Sequence, residues 1–238
     1  CIFLLDFRHI HIFDQQKNAK YLALQTQINP HMLYNTLESI RMKALVSGDD
    51  EVADMIKILA KMFRMALSKQ NAAHWIKDEI DYAENYVKMQ NMRFHNTFFL
   101  EVDLEERILD SSIISMVLQP IIENSIEHGF KGHQIPLHMI INGSVLNERD
   151  ILLRISDDGK GMTPDRIEEI NNLVFRIDTD GASVKSEKEE HETNIGLKNI
   201  AERIKLHYGI EYYLKVADSK SDGTVIEILI PWQWNKMN

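Results

Sequence analysis

A proline stands inside a helical pattern, and a histidine follows it. From Gln15 to Val46 the residues repeat with a helical period, and Pro30 interrupts them within LQTQINPHMLYNTL, residues 24–37. Proline in a helix interior removes a backbone donor and clashes with the preceding turn, at a cost of roughly 3 kcal/mol. Two readings are open on these residues alone. Either Asn29-Pro30 ends one helix and His31 opens another, or a kinked helix displays the imidazole to a partner. After Pro30 the apolar stripe runs Leu33, Leu37, Ile40, Ala44. At ~100° per residue, His31 falls ~120° from the Leu37 direction, beside the seam and not in it.

Ser47-Gly48-Asp49-Asp50 supplies a helix-ending glycine and N-cap candidates. A second stripe follows: Val52, Met55, Ile56, Leu59, Met62, Phe63, Ala66, Leu67. Two amphipathic helices joined by a short turn form an α-hairpin. One hairpin has little core of its own, and a second copy would bury its wide stripe as a four-helix bundle. The methionines read as core filler.

Beyond a weak break at Asn71–Ala73 the periodicity changes. Helices are expected at Ile76–Arg93, Ser112–His128, Thr163–Val174 and Gly196–Tyr208. Strands are expected at Phe98–Val102, His138–Val145, Ile151–Ile155, Tyr212–Val216 and Thr224–Ile230. That order is α+β, with helices on one face of a mixed sheet. Arg176–Asn194 is polar without apolar periodicity, and an insertion of that length is a lid or a disordered segment. The 238 residues suit one large domain or two ordinary ones, and 44% apolar residues suffice for a core. A net charge of −9 argues against general nucleic-acid binding. The single cysteine, Cys1, excludes an intramolecular disulfide framework and fits a reducing compartment. No apolar run approaches the ~20 residues of a membrane span. His9 and His11 lack further ligands at metal-site spacing.

Three stretches carry chemistry. Asp157-Asp158-Gly159-Lys160-Gly161 ends the strand ILLRIS. A carboxylate there accepts from an exocyclic ring amine, and the glycines admit close backbone approach; D-G clusters are also ordinary turns. In Glu123-Asn124-Ser125-Ile126-Glu127-His128-Gly129, Asn124 and His128 share one helix face. An amide oxygen suits Mg2+, and a solvated polar face is the plainer reading. Asn194-Ile195-Gly196-Leu197-Lys198-Asn199-Ile200 joins the polar segment to a helix, which makes an anion site with Lys198 in its first turn, or an ordinary junction. The P-loop and the protein-kinase loop signatures are missing.

Taken in order, these stretches resemble the sensor histidine kinases of two-component systems, of the LytS/YesM kind. In that family the phosphoacceptor box reads close to QINPHFLYNTL, here QINPHMLYNTL. The N box reads close to LQPLVENAIKHG, here LQPIIENSIEHG; the G1 box reads D-N-G-x-G, here DDGKG. The G2 region reads close to G-x-G-L-x-N-x-x-x-R-L, here NIGLKNIAERI. The resemblance covers about residues 20–231 and is most specific in the first box.

The resemblance implies a fold: a dimerising helical hairpin over residues 15–72, then a GHKL/Bergerat-type α/β sandwich over 73–238 with an ATP lid at about 175–195. Residues 1–14 would link to an upstream region. It implies that His31 accepts the γ-phosphoryl group of ATP and that Asn124 binds Mg2+. Asp157 would accept from the adenine amine, and Thr224 would stand on the adenine side. Gly159, Gly161 and Gly196 would line the pocket and lid, with His128, Leu197 and Lys198 beside them. The partners implied are a response-regulator receiver domain and a second copy of the chain. The place implied is the cytoplasmic side of a membrane sensor, anchored through an upstream segment.

The sequence departs from the pattern in places. Many histidine kinases carry an acidic residue directly after the phosphoacceptor, and here Met32 stands there. Glu123, which adjoins Asn124, becomes the candidate base or water-orienting group. Asn35, on the face of His31, is the candidate for positioning water in dephosphorylation. Glu127 replaces a frequent lysine, and Asn194 replaces the first G2 glycine, which predicts a stiffer lid and weaker ATP binding. Those changes support an alternative, a phosphatase-biased or kinase-dead relay. A non-enzymatic dimer module is a third reading.

Overall fold

Two helices joined by a tight turn form the first of two units, into which the chain divides at Leu67/Ser68. The structure is a computed structural model that describes residues 30–67, 74–130, 132, 135–175, 192–220 and 223–232. Residues 1–29, with Cys1, the His9/His11 pair and the expected helix start at Gln15, lie outside the described residues. So do 176–191 of the expected lid.

Helix α1 spans Pro30–Val46 and α2 spans Asp50–Leu67. Gly48 takes φ +74, the left-handed conformation that glycine supplies at a helix end. The Asp49 side chain accepts from the Val52 N–H at 3.1 Å and caps α2. Leu37, Ala53, Ile58 and Met62 are buried, and Arg64 of α2 lies over the Tyr34 ring of α1. The expected seam is wider than the face used. Ile40 is 48% exposed and Phe63 38%, because one neighbouring helix covers only part of so broad a stripe.

The second unit opens with α3, Ile76–Phe94, whose end at His95 adopts the left-handed conformation. Strand β1, Phe98–Leu104, follows. Helix α4, Leu118–Asn124, runs into a π-helical turn, Ser125–Gly129. Strands β2 (Leu137–Leu146) and β3 (Asp150–Asp157) form a hairpin. Helices α5 (Pro164–Phe175) and α6 (Glu192–Tyr208) precede β4 (Tyr213–Lys220) and β5 (Gly223–Pro231). Among the described residues no helix is long and apolar enough to cross a membrane.

The sheet order is β1-β2-β3-β5-β4, with β1 parallel to β2 and the other neighbours antiparallel. Alternation explains how it is covered. Met139, Ile141, Leu153, Ile155, Ile226 and Ile228 are buried, while His138 and Arg154 between them are exposed. Arg154 and Lys215 both pair with Glu227 across neighbouring strands, on the alternate register. Asn171 of α5 bonds both peptide groups of Val216, next to the bulge in β4. Buried Lys205 of α6 donates to the Val174 carbonyl oxygen at 3.0 Å and ties α6 to the end of α5.

Two expected boundaries are corrected. The helix expected from Ser112 starts at Leu118, since residues 109–113 bond instead to the backbone of 74–77. With that start Pro120 falls in the first turn, where a missing N–H costs nothing. The helix expected from Gly196 already runs at Glu192. Glycine inside a helix costs only about 1 kcal/mol and did not mark the start.

Candidate nucleotide site and phosphoacceptor helix

Asp157 is the last residue of β3 and pairs in register with Thr224 of β5. One carboxylate oxygen accepts from the Gly159 N–H at 2.9 Å, the other from the Ser125 hydroxyl at 3.0 Å. Burial pushes the Asp157 carboxyl above its ordinary range; the Gly159 and Ser125 bonds oppose the rise and the charge of Asp158 adds to it. Asp158 itself turns away and accepts from the His138 N–H at 2.8 Å and from its ring Nδ1 at 2.9 Å.

Gly159 is required by space. A Cβ there would lie 2.6 Å from the Gly129 Cα and 2.7 Å from the Asp157 carboxylate. The Lys160 N–H donates to the Gly129 carbonyl oxygen at 2.9 Å and locks this loop to the end of the π-helical turn. Leu118, Ile121 and Ile122 are fully buried and pin α4, and the turn after it carries Ser125 to Asp157.

A pocket of about 230 Å³ opens between these elements. Its apolar walls are Ile121, Met162, Ile170, Leu197 and Ile226; its polar groups include Asn124, Ser125, His128, Asp157, Arg166 and Thr224. The Asn124 Nδ2 is buried and has no hydrogen-bond partner among the described residues. A buried amide left unsatisfied is costly, and a bound polar ligand would relieve it. Apolar walls with a few convergent polar groups fit an aromatic base at one end and a charged group at the other.

The expected residues distribute as follows. Asn124, His128, Asp157, Gly161, Leu197 and Thr224 share the pocket lining, and Gly129 joins them. A Cβ on Gly196 would come to 3.9 Å from the Asn124 Nδ2, ordinary van der Waals contact, so Gly196 stands beside Asn124 but space does not require glycine there. Lys198 is corrected: with α6 beginning at Glu192 it is the seventh helical residue and lies beyond the first turn. Glu123 does not line the pocket. Its carboxylate accepts from the Gln119 amide at 2.9 Å, burial raises its pKa, and its charge helps to raise those of Tyr82 and Tyr86 on α3.

His31 and Asn35 belong to the first unit. His31 is exposed on α1, and the Asn35 amide nitrogen stands 3.3 Å from its Nδ1, one helical turn on. Seven lining residues escaped the sequence reading as site residues: Ile121, Ser125, Gly129, Met162, Arg166, Ile170 and Ile226. Arg166 and Ile170 are four apart, so a helical-face argument from Gly161 onward could have found them.

The sheet, the asparagine-bearing helix and the strand-end aspartate define a GHKL-type ATPase unit. Residues 109–233 match the profile of the histidine kinase-, DNA gyrase B-, and HSP90-like ATPase family, and residues 19–98 match the histidine kinase profile. The chain belongs to the histidine kinase family, and nucleotide binding belongs to that family's ATPase unit.

The sensor histidine kinase YesM of Bacillus subtilis is 29% identical over 90% of this chain and 34% of its own length. The sensor protein kinase HptS of Staphylococcus aureus is 27% identical over 90% of this chain and 39% of its own. The chain therefore spans little more than a third of the curated relatives it matches. Among solved structures, the histidine kinase domain of a blue-light activated histidine kinase from Erythrobacter litoralis EL346 is 14% identical, with 86% of each chain covered and a TM-score of 0.47.

Proposed function

We propose that this chain is the catalytic core of a two-component sensor histidine kinase. The observation that carries the reading is the pocket in which Asp157, Ser125 and the unpartnered amide of Asn124 converge. Asp157 would hold the adenine amine, with Thr224 beside it and Leu197 and Ile170 against the ring. Asn124 would hold Mg2+ through its amide oxygen, and the ion would supply positive charge against the phosphate oxygens. Gly161, Gly196 and His128 would border the phosphates, and Lys198, one turn further along α6, would reach them only by its length.

His31 is the proposed acceptor. Its ring nitrogen forms a bond to the γ-phosphorus as the bond to the β-phosphate oxygen breaks and ADP leaves. The phosphoryl group would then pass to an aspartate of a response-regulator receiver domain. The exposed Ile40 and Phe63 support a homodimer through the hairpin. A membrane link of the whole sensor would lie outside this core, on whose cytoplasmic side the core would work.

Titrating ATP into the protein with and without Mg2+ tests the site. Asn124→Ala is expected to lose the Mg2+-dependent part of the affinity, and a variant that keeps it would contradict the metal role. Autophosphorylation in Glu123→Gln tests the base; near-normal turnover would remove Glu123 from the chemistry. Undiminished phosphatase activity in Asn35→Ala would do the same for the water-positioning role.

A further inference from the structure

Helix α4 carries Asn124, and its beginning is held by side chains from elsewhere. The chain reaches it through Met116, at φ +60. A residue with a Cβ disfavours that region, so its surroundings must hold the turn. Glu79 of α3, only 3% exposed, supplies the hold. One of its oxygens accepts from the Met116 N–H at 2.7 Å, the other from the Val117 and Leu118 N–H groups, both at 2.8 Å. A carboxylate accepting peptide donors at a helix start makes strong, charge-assisted bonds.

The same turn is gripped from its other side. Arg203 of α6 donates to the Met116 carbonyl oxygen at 3.3 Å and to that of Ser115. The Tyr208 hydroxyl accepts from the Ile114 N–H at 2.9 Å. Glu79 also meets the His74 Nε2 at 2.6 Å. His74 begins a stretch bonded to the backbone ahead of α4: its carbonyl oxygen accepts from the Ile113 N–H at 2.9 Å, and the Ile76 N–H donates to Ser111 at 3.0 Å. Neither His74 nor Glu79 lines the pocket.

We propose that Glu79 is a positioning residue for the nucleotide site: it sets where α4 begins, and so where Asn124 and Ser125 stand, while His74 orients its carboxylate. The proposal rests on the nucleotide reading above. Its test is the dissociation constant of the whole chain for ATP with and without Mg2+, measured well below each variant's unfolding temperature. Glu79→Gln keeps the volume but turns one acceptor into a donor, facing peptide N–H groups. It is expected to weaken Mg2+-dependent ATP binding about tenfold, with faster amide exchange at Met116–Leu118. Adding Met116→Gly, which removes the Cβ from the strained turn, is expected to restore affinity to within about threefold of wild type.

His74→Ala keeps the three hydrogen bonds from peptide N–H groups to Glu79 and is expected to weaken binding about threefold; it decides the matter if Glu79→Gln does not fold. Wild-type affinity in the folded variants, however much their unfolding temperatures drop, would overturn the positioning role, since a merely structural carboxylate would show that pattern. A wild-type protein that binds no ATP would overturn the nucleotide reading itself, and this inference with it.

Discussion

Asp157 carries opposed demands. In the proposed role it accepts most strongly from an adenine amine when ionised, yet burial favours its neutral form and raises its pKa. The sign follows by linkage: a carboxyl with a raised folded pKa favours stability most at low pH, and that contribution is lost as pH rises through the raised value. Ligand binding should run the other way and weaken as pH falls through it. Asp157→Asn removes the buried charge at nearly constant volume. Its unfolding temperature at neutral pH is expected to equal or exceed that of wild type, while ATP affinity falls about tenfold or more. The acid-side loss of affinity expected of wild type should be absent from the variant; equal pH profiles would contradict the role. This residue was legible as the end of an apolar strand before D-x-G-x-G. Its partner Ser125 was not, because a hydroxyl inside a helical motif gives no sign of which way it points.

At the scale of elements, apolar periodicity placed most helices and strands, and it failed where tertiary bonds override it. Ile113, Ile114 and Val117 continue the helical pattern, yet Glu79 and Arg203 hold that stretch out of a helix until Leu118. Pro120 was the available sign, since a proline sits more easily in a first turn than in mid-helix. Gly159→Ala would force a Cβ into Gly129, so a loss of about 1–3 kcal/mol in the second unit is expected from denaturant unfolding. His74 gives a second check. Its hydrogen bond to Glu79 raises its pKa, so the stability it adds is full below about pH 6.5 and is lost as pH rises through the raised value. His74→Gln should flatten that slope, and an unchanged slope would place the titration elsewhere. In the first unit, Ile40 and Phe63 belong to the apolar stripes of α1 and α2, and the single hairpin leaves them open. Ile40→Glu with Phe63→Glu is expected to turn a dimer into a monomer in sedimentation, while wild-type protein that is already monomeric would contradict the four-helix bundle.

For the molecule as a whole, the proposed function would divide the work between an acceptor helix in one unit and a nucleotide pocket in the other. Four motifs in order made this readable, because each needs particular atoms at fixed spacing: a histidine beside a seam, an amide on a helix face, a carboxylate at a strand end, a glycine near the amide. The support behind them was not readable, since Glu79 and Arg203 act on backbone groups far away in sequence. The central claim is transfer of a phosphoryl group from the second unit's nucleotide to His31. Incubation with γ-labelled ATP and Mg2+ tests it, comparing wild type with His31→Gln. The account predicts acid-labile, alkali-stable label on the wild type and none on the variant. Equal label on both would contradict His31 as acceptor, and ATP bound without label on either would favour the phosphatase-biased relay.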